Sequence, residues 1–311
     1  MSVLQPVLGI SLKVLSALAF TMMSALIKIV SVRYPTGQLV FFRSAFAIVP
    51  LLVWMGLADS LINAVRTHNL RGHFLRGIIG SGGMFSGFVA LSYLPLSDAV
   101  AIGYAAPLMV VVLAALILKE TVRAYRWSAV VVGFLGVLIM LLPHLQTGGG
   151  RAADAASAIG AGFALLGACC AACATIQVRR LTASEKTGAI VFYFSLLTTI
   201  LGLATIVLGW TMPDAADLGI LISVGILGGI GQILLTQSYR FADASLVAPF
   251  EYTTMIWALL IGWFVFGQWP QSIVLAGAGI VAAAGVFVIW RERQLGLERT
   301  KSAEASSTRG T

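Results

Sequence analysis

Ten apolar runs dominate this chain, at roughly 7–30, 36–56, 75–93, 97–118, 127–143, 155–178, 187–210, 217–239, 244–266 and 271–290. Each is long enough, at about 17–25 residues, to cross the hydrocarbon core of a bilayer as a helix. In lipid the backbone must satisfy its own polar groups, so runs of this kind become helices. Only 10% of the residues are charged against 59% hydrophobic, and a soluble domain carries about 25% charged residues. The expectation is an all-α membrane protein of ten transmembrane helices, numbered here as spans 1–10. No stretch between runs is long enough for a separate soluble domain.

Charge placement sets the orientation. With the N-terminus in the cytoplasm, fifteen of the 20 Lys and Arg residues fall on the inner side, among them Arg66, Arg71, Arg76, Arg123, Arg179 and Arg240. Arg33 and Arg151 fall outside, and Lys13, Lys28 and Arg43 fall within spans or at their ends. The positive-inside rule then places both termini in the cytoplasm. Gly148-Gly149-Gly150 is the linker between halves, and residues 291–311 form a polar tail expected to be disordered.

The two halves resemble each other. Thr36-Gly37 and Phe41-Phe42-Arg43-Ser44 match Thr187-Gly188 and Phe192-Tyr193-Phe194-Ser195 at an offset of 151. Lys28 falls on Arg179 in the same register. Ala90-Leu91-Ser92-Tyr93 matches Thr236-Gln237-Ser238-Tyr239 at an offset of 146, and Asp98-Ala99 lies close to Asp243-Ala244. Each repeat holds five spans, at 7–143 and 155–290. Five is odd, so the copies enter the membrane from opposite sides. That makes an inverted repeat about a pseudo-two-fold axis in the membrane plane, with a substrate site near the midplane and alternating access to it.

Glu251 is the costliest residue in the spans. A carboxylate at membrane depth costs at least ~2.5 kcal/mol, so it needs a partner or a wet cavity. Pro249, two residues earlier, removes a backbone donor. Phe250, Tyr252 and Trp257 set aromatic faces around the acid. Tyr104 and Pro107 in span 4 are the first-half counterparts, so Pro107 and Pro249 mark expected helix breaks. Arg43 is the first basic candidate for the substrate site: a lone guanidinium there pairs, snorkels or lines water, and the alternative is that it locks helices through backbone carbonyls. Gln232 and Gln237 bring long amides into span 8, to bond either a polar substrate or neighbouring helices. Lys13 and Lys28 are expected to snorkel toward the two membrane surfaces. Gly80-Ser81-Gly82-Gly83 reads as a helix-packing surface, and Cys169, Cys170 and Cys173 as small packing residues.

Several function classes drop out. No Gly-x-x-x-x-Gly-Lys-Ser/Thr loop is present, so ATP hydrolysis is not expected. The histidines, His68, His73 and His144, fall outside the ten runs, which argues against a metal site or a catalytic triad in the membrane. No cofactor is implied. No basic run interleaved with aromatics suggests nucleic acid.

Taken together, Phe41-Phe42-Arg43, residues 90–99, Leu118-Lys119-Glu120-Thr121, Gly133-x-x-Gly136, Gln237-Ser238-Tyr239, residues 244–249 and Gly285 resemble the drug/metabolite transporter superfamily in its ten-span form with two EamA-type repeats. Gly267-Gln268-Trp269-Pro270 stands where that family carries an acid after span 9. The resemblance covers about residues 9–290. It implies a cavity lined by spans 1, 3, 4, 6, 8 and 9, with spans 5 and 10 packing the halves together. The chain is also similar to riboflavin and S-adenosylmethionine carriers. The resulting expectation is not an enzyme but a secondary transporter in a bacterial inner membrane. Its partners would be a small-molecule substrate, membrane lipids and a coupling proton carried by Glu251. Riboflavin is the first choice of substrate, since Tyr104, Phe250, Tyr252 and Trp257 suit a planar ring. The rivals are an S-adenosylmethionine, amino-acid or drug exporter and a lipid-flipping protein.

Overall fold

The computed structural model describes residues 6–58, 65–117, 123–145, 152–181, 184–241 and 248–307. The Gly148–Gly150 linker, the 118–121 motif and Asp243-Ala244 lie outside the described residues. Among those described, every regular element is a helix. Among the described residues nine helices are long and apolar enough to cross a bilayer, and the shorter Phe250–Phe266 makes a tenth. Span 1 is Pro6–Val30, span 2 Thr36–Ala58, span 3 Leu70–Tyr93 and span 5 Ala124–Leu145. Span 6 is Ala152–Leu181, span 7 Thr187–Ala204 and span 8 Ala215–Phe241. Span 4 is in two pieces, Leu96–Gly103 and Ala105–Ile117. Span 9 opens as a 3-10 turn, Ala248–Tyr252, before Thr253–Phe266. Span 10 runs Ser272–Ser307, so the polar residues after Trp290, expected to be disordered, continue the helix as far as Ser307.

The packing carries the repeat. Span 1 runs along span 8 as span 6 runs along span 3, and span 2 meets span 8 as span 7 meets span 3. Spans 2 and 7 touch each other, as do spans 5 and 10, so the pseudo-dyad passes through these two self-paired contacts. Spans 5 and 10 close through small residues. A Cβ added at Gly136 would lie 2.8 Å from the Gly277 carbonyl oxygen, and one at Gly277 would lie 2.6 Å from that of Gly136. Lipid tails offer no hydrophobic drive between helices, so such close backbone approach is what holds them. Gly83 meets Cys170 and Gly167 in the same way, joining spans 3 and 6.

Two polar staples repeat with the helices. The face carrying both chain ends is called terminal here and the opposite one distal. At the distal face the Tyr34 hydroxyl donates to Asp217 at 2.7 Å, and Arg33 reaches the same carboxylate at 2.8 Å. At the terminal face Glu185 lies 3.4 Å from His73 and accepts the His68 N–H at 3.0 Å. Glu185 stands 151 residues after Tyr34, the repeat offset. Each staple ties the loop between two spans to the first turn of span 8 or span 3. Burial pushes the Glu185 carboxyl up, but the bonds from His68, Thr67 and His73 outweigh it and hold it below its ordinary value. A depressed carboxylate stabilises fully above its ordinary range and loses that contribution as pH falls through its lowered value. The gap in unfolding midpoint between the protein and Glu185→Gln should therefore narrow on acidification below about pH 4.5, the unperturbed carboxylate region. A gap that holds constant in thermal scans down to pH 3 would remove this role.

His73 and His144 correct the sequence reading, which left them outside the spans. Both lie in terminal turns of helices and are buried, His144 at 3.4 Å from Asp98 and 2.6 Å from Ser157. The difference arises because span 3 begins five residues before its apolar run, capped by the Asn69 side chain on Gly72 N–H.

The apolar core seals the distal half. Ile27, Leu39, Phe88, Leu96, Val224 and Ala258 bring spans 1, 2, 3, 4, 8 and 9 into one buried cluster. Lys28 closes it. Rather than snorkelling, its ammonium donates to the carbonyls of Leu91 and Leu94, the unpaired acceptors at the C-terminal end of span 3. That end of a helix carries the negative pole of its dipole, which favours a cation. Lys28→Met should loosen the distal seal. In a background without native cysteines, Ile27→Cys should then react faster with an impermeant maleimide, and unchanged labelling would count against the seal.

Candidate functional site

The two interrupted spans meet. Pro107 sits in the first turn of Ala105–Ile117, and its ring excludes the carbonyl four residues back, that of Gly103, where the preceding helix stops. The break thus falls three to four residues before the proline that causes it. Pro249 lies in the 3-10 turn that opens span 9. The carbonyls loosened there are taken up locally: the Thr253 hydroxyl donates to Phe250 and that of Thr254 to Glu251. With its one proton so used, Thr254 accepts from the Tyr104 hydroxyl at 2.8 Å. The rings of Tyr104 and Tyr252 meet edge to face at 5.2 Å.

This junction is a wall rather than an open chamber. Tyr104 is buried in the core of spans 3, 4, 5, 6 and 10. Tyr252 points at span 10, where a Cβ on Gly285 would fall 1.8 Å from its hydroxyl oxygen. The two tyrosines come together as the repeat predicts, but their faces are largely spent on packing.

Glu251 has a partner that the sequence reading assigned elsewhere. Lys13 of span 1 donates to its carboxylate in an ion pair. Lys13 was expected to snorkel; instead its side chain is 3% exposed, while that of Glu251 is 46% exposed. A buried ammonium costs too much to strand without an anion, so the pair holds span 1 against the opening turn of span 9. The Glu251 side chain, on the opening turn of span 9, is left nearly half exposed.

Arg43 lies elsewhere, in a second locus. It is buried, and its guanidinium lies over the ring of Phe194, 5.9 Å from the centroid. Phe194 is the residue on which Arg43 falls under the repeat, so the two touch across the pseudo-dyad. No carbonyl bond of Arg43 is seen among the described residues, so the structure gives no support to helix locking. Arg76 of span 3 joins it, 3.6 Å from the same ring centroid. The sequence reading counted Arg76 among the residues facing the cytoplasm; the structure places it inside a helix that begins at Leu70. Gln232 lines the cleft beside Arg43. Gln237 Oε1 and Trp257 Nε1 are buried without a hydrogen-bond partner among the described residues. Phe250 is half-buried. Of the predicted residues, Tyr104 and Tyr252 form a wall, Glu251 pairs with Lys13, and Arg43 joins Phe194 and Arg76 with Gln232 beside it, while Phe250, Trp257 and Gln237 belong to none of these groups. Lys13 and Arg76 were missed as site residues because long basic side chains near helix ends ordinarily reach for water.

Comparison with known proteins follows this geometry. The model of the EamA-like transporter family matches residues 7–142 and 158–291, once for each half. The S-adenosylmethionine uptake transporter of Rickettsia prowazekii is 26% identical over 289 residues, covering 92% of this chain and 94% of that protein. The pseudopaline exporter CntI of Pseudomonas aeruginosa is 29% identical over 278 residues, covering 89% and 94%. The riboflavin transporter of Rhizobium johnstonii is 29% identical over 292 residues, covering 92% of each. A crystal structure of a protein 18% identical in sequence shares the fold with a TM-score of 0.65, covering 92% of this chain and 98% of that one.

Proposed function

Because this chain belongs to the EamA-like transporter family, we propose that it is a secondary transporter that moves a small organic metabolite across a bacterial inner membrane by alternating access. It acts as a carrier and not as an enzyme, with the terminal face, and so both chain ends, in the cytoplasm. The observation that supports this best is the ion pair of Lys13 and Glu251. It leaves a carboxylate nearly half exposed beneath a distal half closed by apolar packing and Lys28. A charge held open to one side only is what a carrier resting with its cytoplasmic side open would present. In this reading Glu251, Trp257 and Phe250 face the substrate path, Gln232 and Gln237 offer amides to it, and Tyr104 and Tyr252 form its wall.

Riboflavin remains a candidate through the ring faces of Trp257 and Phe250. A charged metabolite of the S-adenosylmethionine kind is favoured by a specific observation: the protein interior carries charges of both signs in two loci, the half-exposed Glu251 carboxylate and the buried Arg43 guanidinium. Proteoliposomes containing the protein should accumulate one of labelled riboflavin, S-adenosylmethionine or amino acids above empty vesicles, saturably and with counterflow. Flux without saturation would point to a channel. Movement of labelled lipid between leaflets without metabolite uptake would favour a lipid-flipping protein.

A further inference from the structure

We infer that Arg43 and Arg76, converging on the ring of Phe194, bind a carboxylate group of the transported metabolite, an assignment that rests on the transporter reading above. Arg43 is 7% exposed, and its Nε is buried with no hydrogen-bond partner among the described residues. The Nε and Nη1 of Arg76 are likewise buried and unpartnered. No ion pair involves either arginine among the described residues. Two cations gathered at one ring repel each other, and burial without an anion is costly for each. A ring face offsets only a small part of that cost for a guanidinium. Elsewhere this chain pairs its buried charges: Lys13 with Glu251, and Arg33 with Asp217. Here the protein leaves the charges open.

The surroundings suit an anionic guest. Arg43 and Phe194 line a narrow cleft between spans 2, 7 and 8, with about 10 Å³ open to a water-sized molecule, beside Ser195, Gln232, Gly228 and Gly229. The glycines leave room for the guanidinium: a Cβ at Gly228 would come within 3.2 Å of Arg43 Nε. Ser195 and Gln232 add polar atoms beside it. A planar carboxylate matches the fork of guanidinium N–H donors and would neutralise the cluster. Arg43 lies seven residues into span 2 from the distal face, and Phe194 seven residues into span 7 from the terminal face. Their contact therefore sits on the pseudo-dyad, equivalent from either side, where a site served by alternating access must lie.

The test uses the full-length protein in detergent, with thermal unfolding followed at constant ionic strength set by chloride. Acetate and benzoate should raise the unfolding midpoint saturably, and benzamide should not. Arg43→Gln and Arg76→Gln should each weaken the apparent benzoate affinity about tenfold or more. Should a Gln variant not fold, Arg43→Lys keeps the charge but loses the fork and should weaken binding in the same direction. A flat response to every carboxylate, an equal response to benzamide, stabilisation by phosphate or chloride alone, or unchanged affinity in these variants would overturn the assignment. A clear benzoate titration with no metabolite uptake by proteoliposomes would sink the transporter reading and leave the site standing. Saturable uptake with flat titrations would do the reverse.

Discussion

Glu251→Gln should cut metabolite uptake by roughly tenfold, equivalent to ~1.4 kcal/mol, and flatten its dependence on external pH. The carboxylate sits on the opening turn of span 9, where it both holds Lys13 and stays exposed. Neutralising it removes the anion from a nearly fully buried ammonium. Breaking one partner of a buried pair commonly costs about 3–5 kcal/mol, but the Glu251 side chain is 46% exposed, so the loss here should fall below that range. Lys13→Met paired with Glu251→Gln removes both charges and should recover most of the stability. Transport should not return with it, because the acid is gone. The single and double variants thus separate folding from function. Unaltered, pH-dependent uptake by Glu251→Gln would exclude the acid from the transport cycle.

Stability should respond most to the contact of spans 5 and 10. Gly277→Ala would set a Cβ 2.6 Å from the backbone oxygen of Gly136, and Gly136→Ala one 2.8 Å from that of Gly277. Backbone cannot step aside as a side-chain tip can, so the helices must separate. Overpacking of this kind costs about 1–3 kcal/mol, and loss of the facing carbonyl contacts adds to it. Gly279→Ala is the control, since nothing lies within 4 Å of its added Cβ. In a helix that change should stabilise slightly, by about 0.4–1 kcal/mol. Unfolding midpoints in detergent should therefore move in opposite directions for residues two positions apart. A common shift would show that spans 5 and 10 are not clamped at this point.

The hydropathy of the chain was enough to reveal ten spans, because lipid leaves an unpaired backbone no other option than to bond within its own segment. The match of Thr36-Gly37 to Thr187-Gly188, with an odd number of spans per copy, was enough to place the halves in opposite senses. The cost of a charge in lipid picked out Glu251 and Arg43 as residues in need of explanation. Partners were another matter. Lys13 lies 238 residues from Glu251, and nothing local separates a lysine that reaches a distant acid from one that reaches water. Arg76 reads as surface charge because it is the second residue of its apolar run, whereas the helix begins five residues before that run and carries Arg76 into its second turn. Tyr104 and Tyr252 could be seen to correspond, but whether their faces meet a ligand or each other depends on Gly285, a neighbour supplied by span 10. Pattern along the chain reflects what each segment must do alone in lipid; which side chains share a site is settled only when ten helices pack, since that depends on rotation about each helix axis.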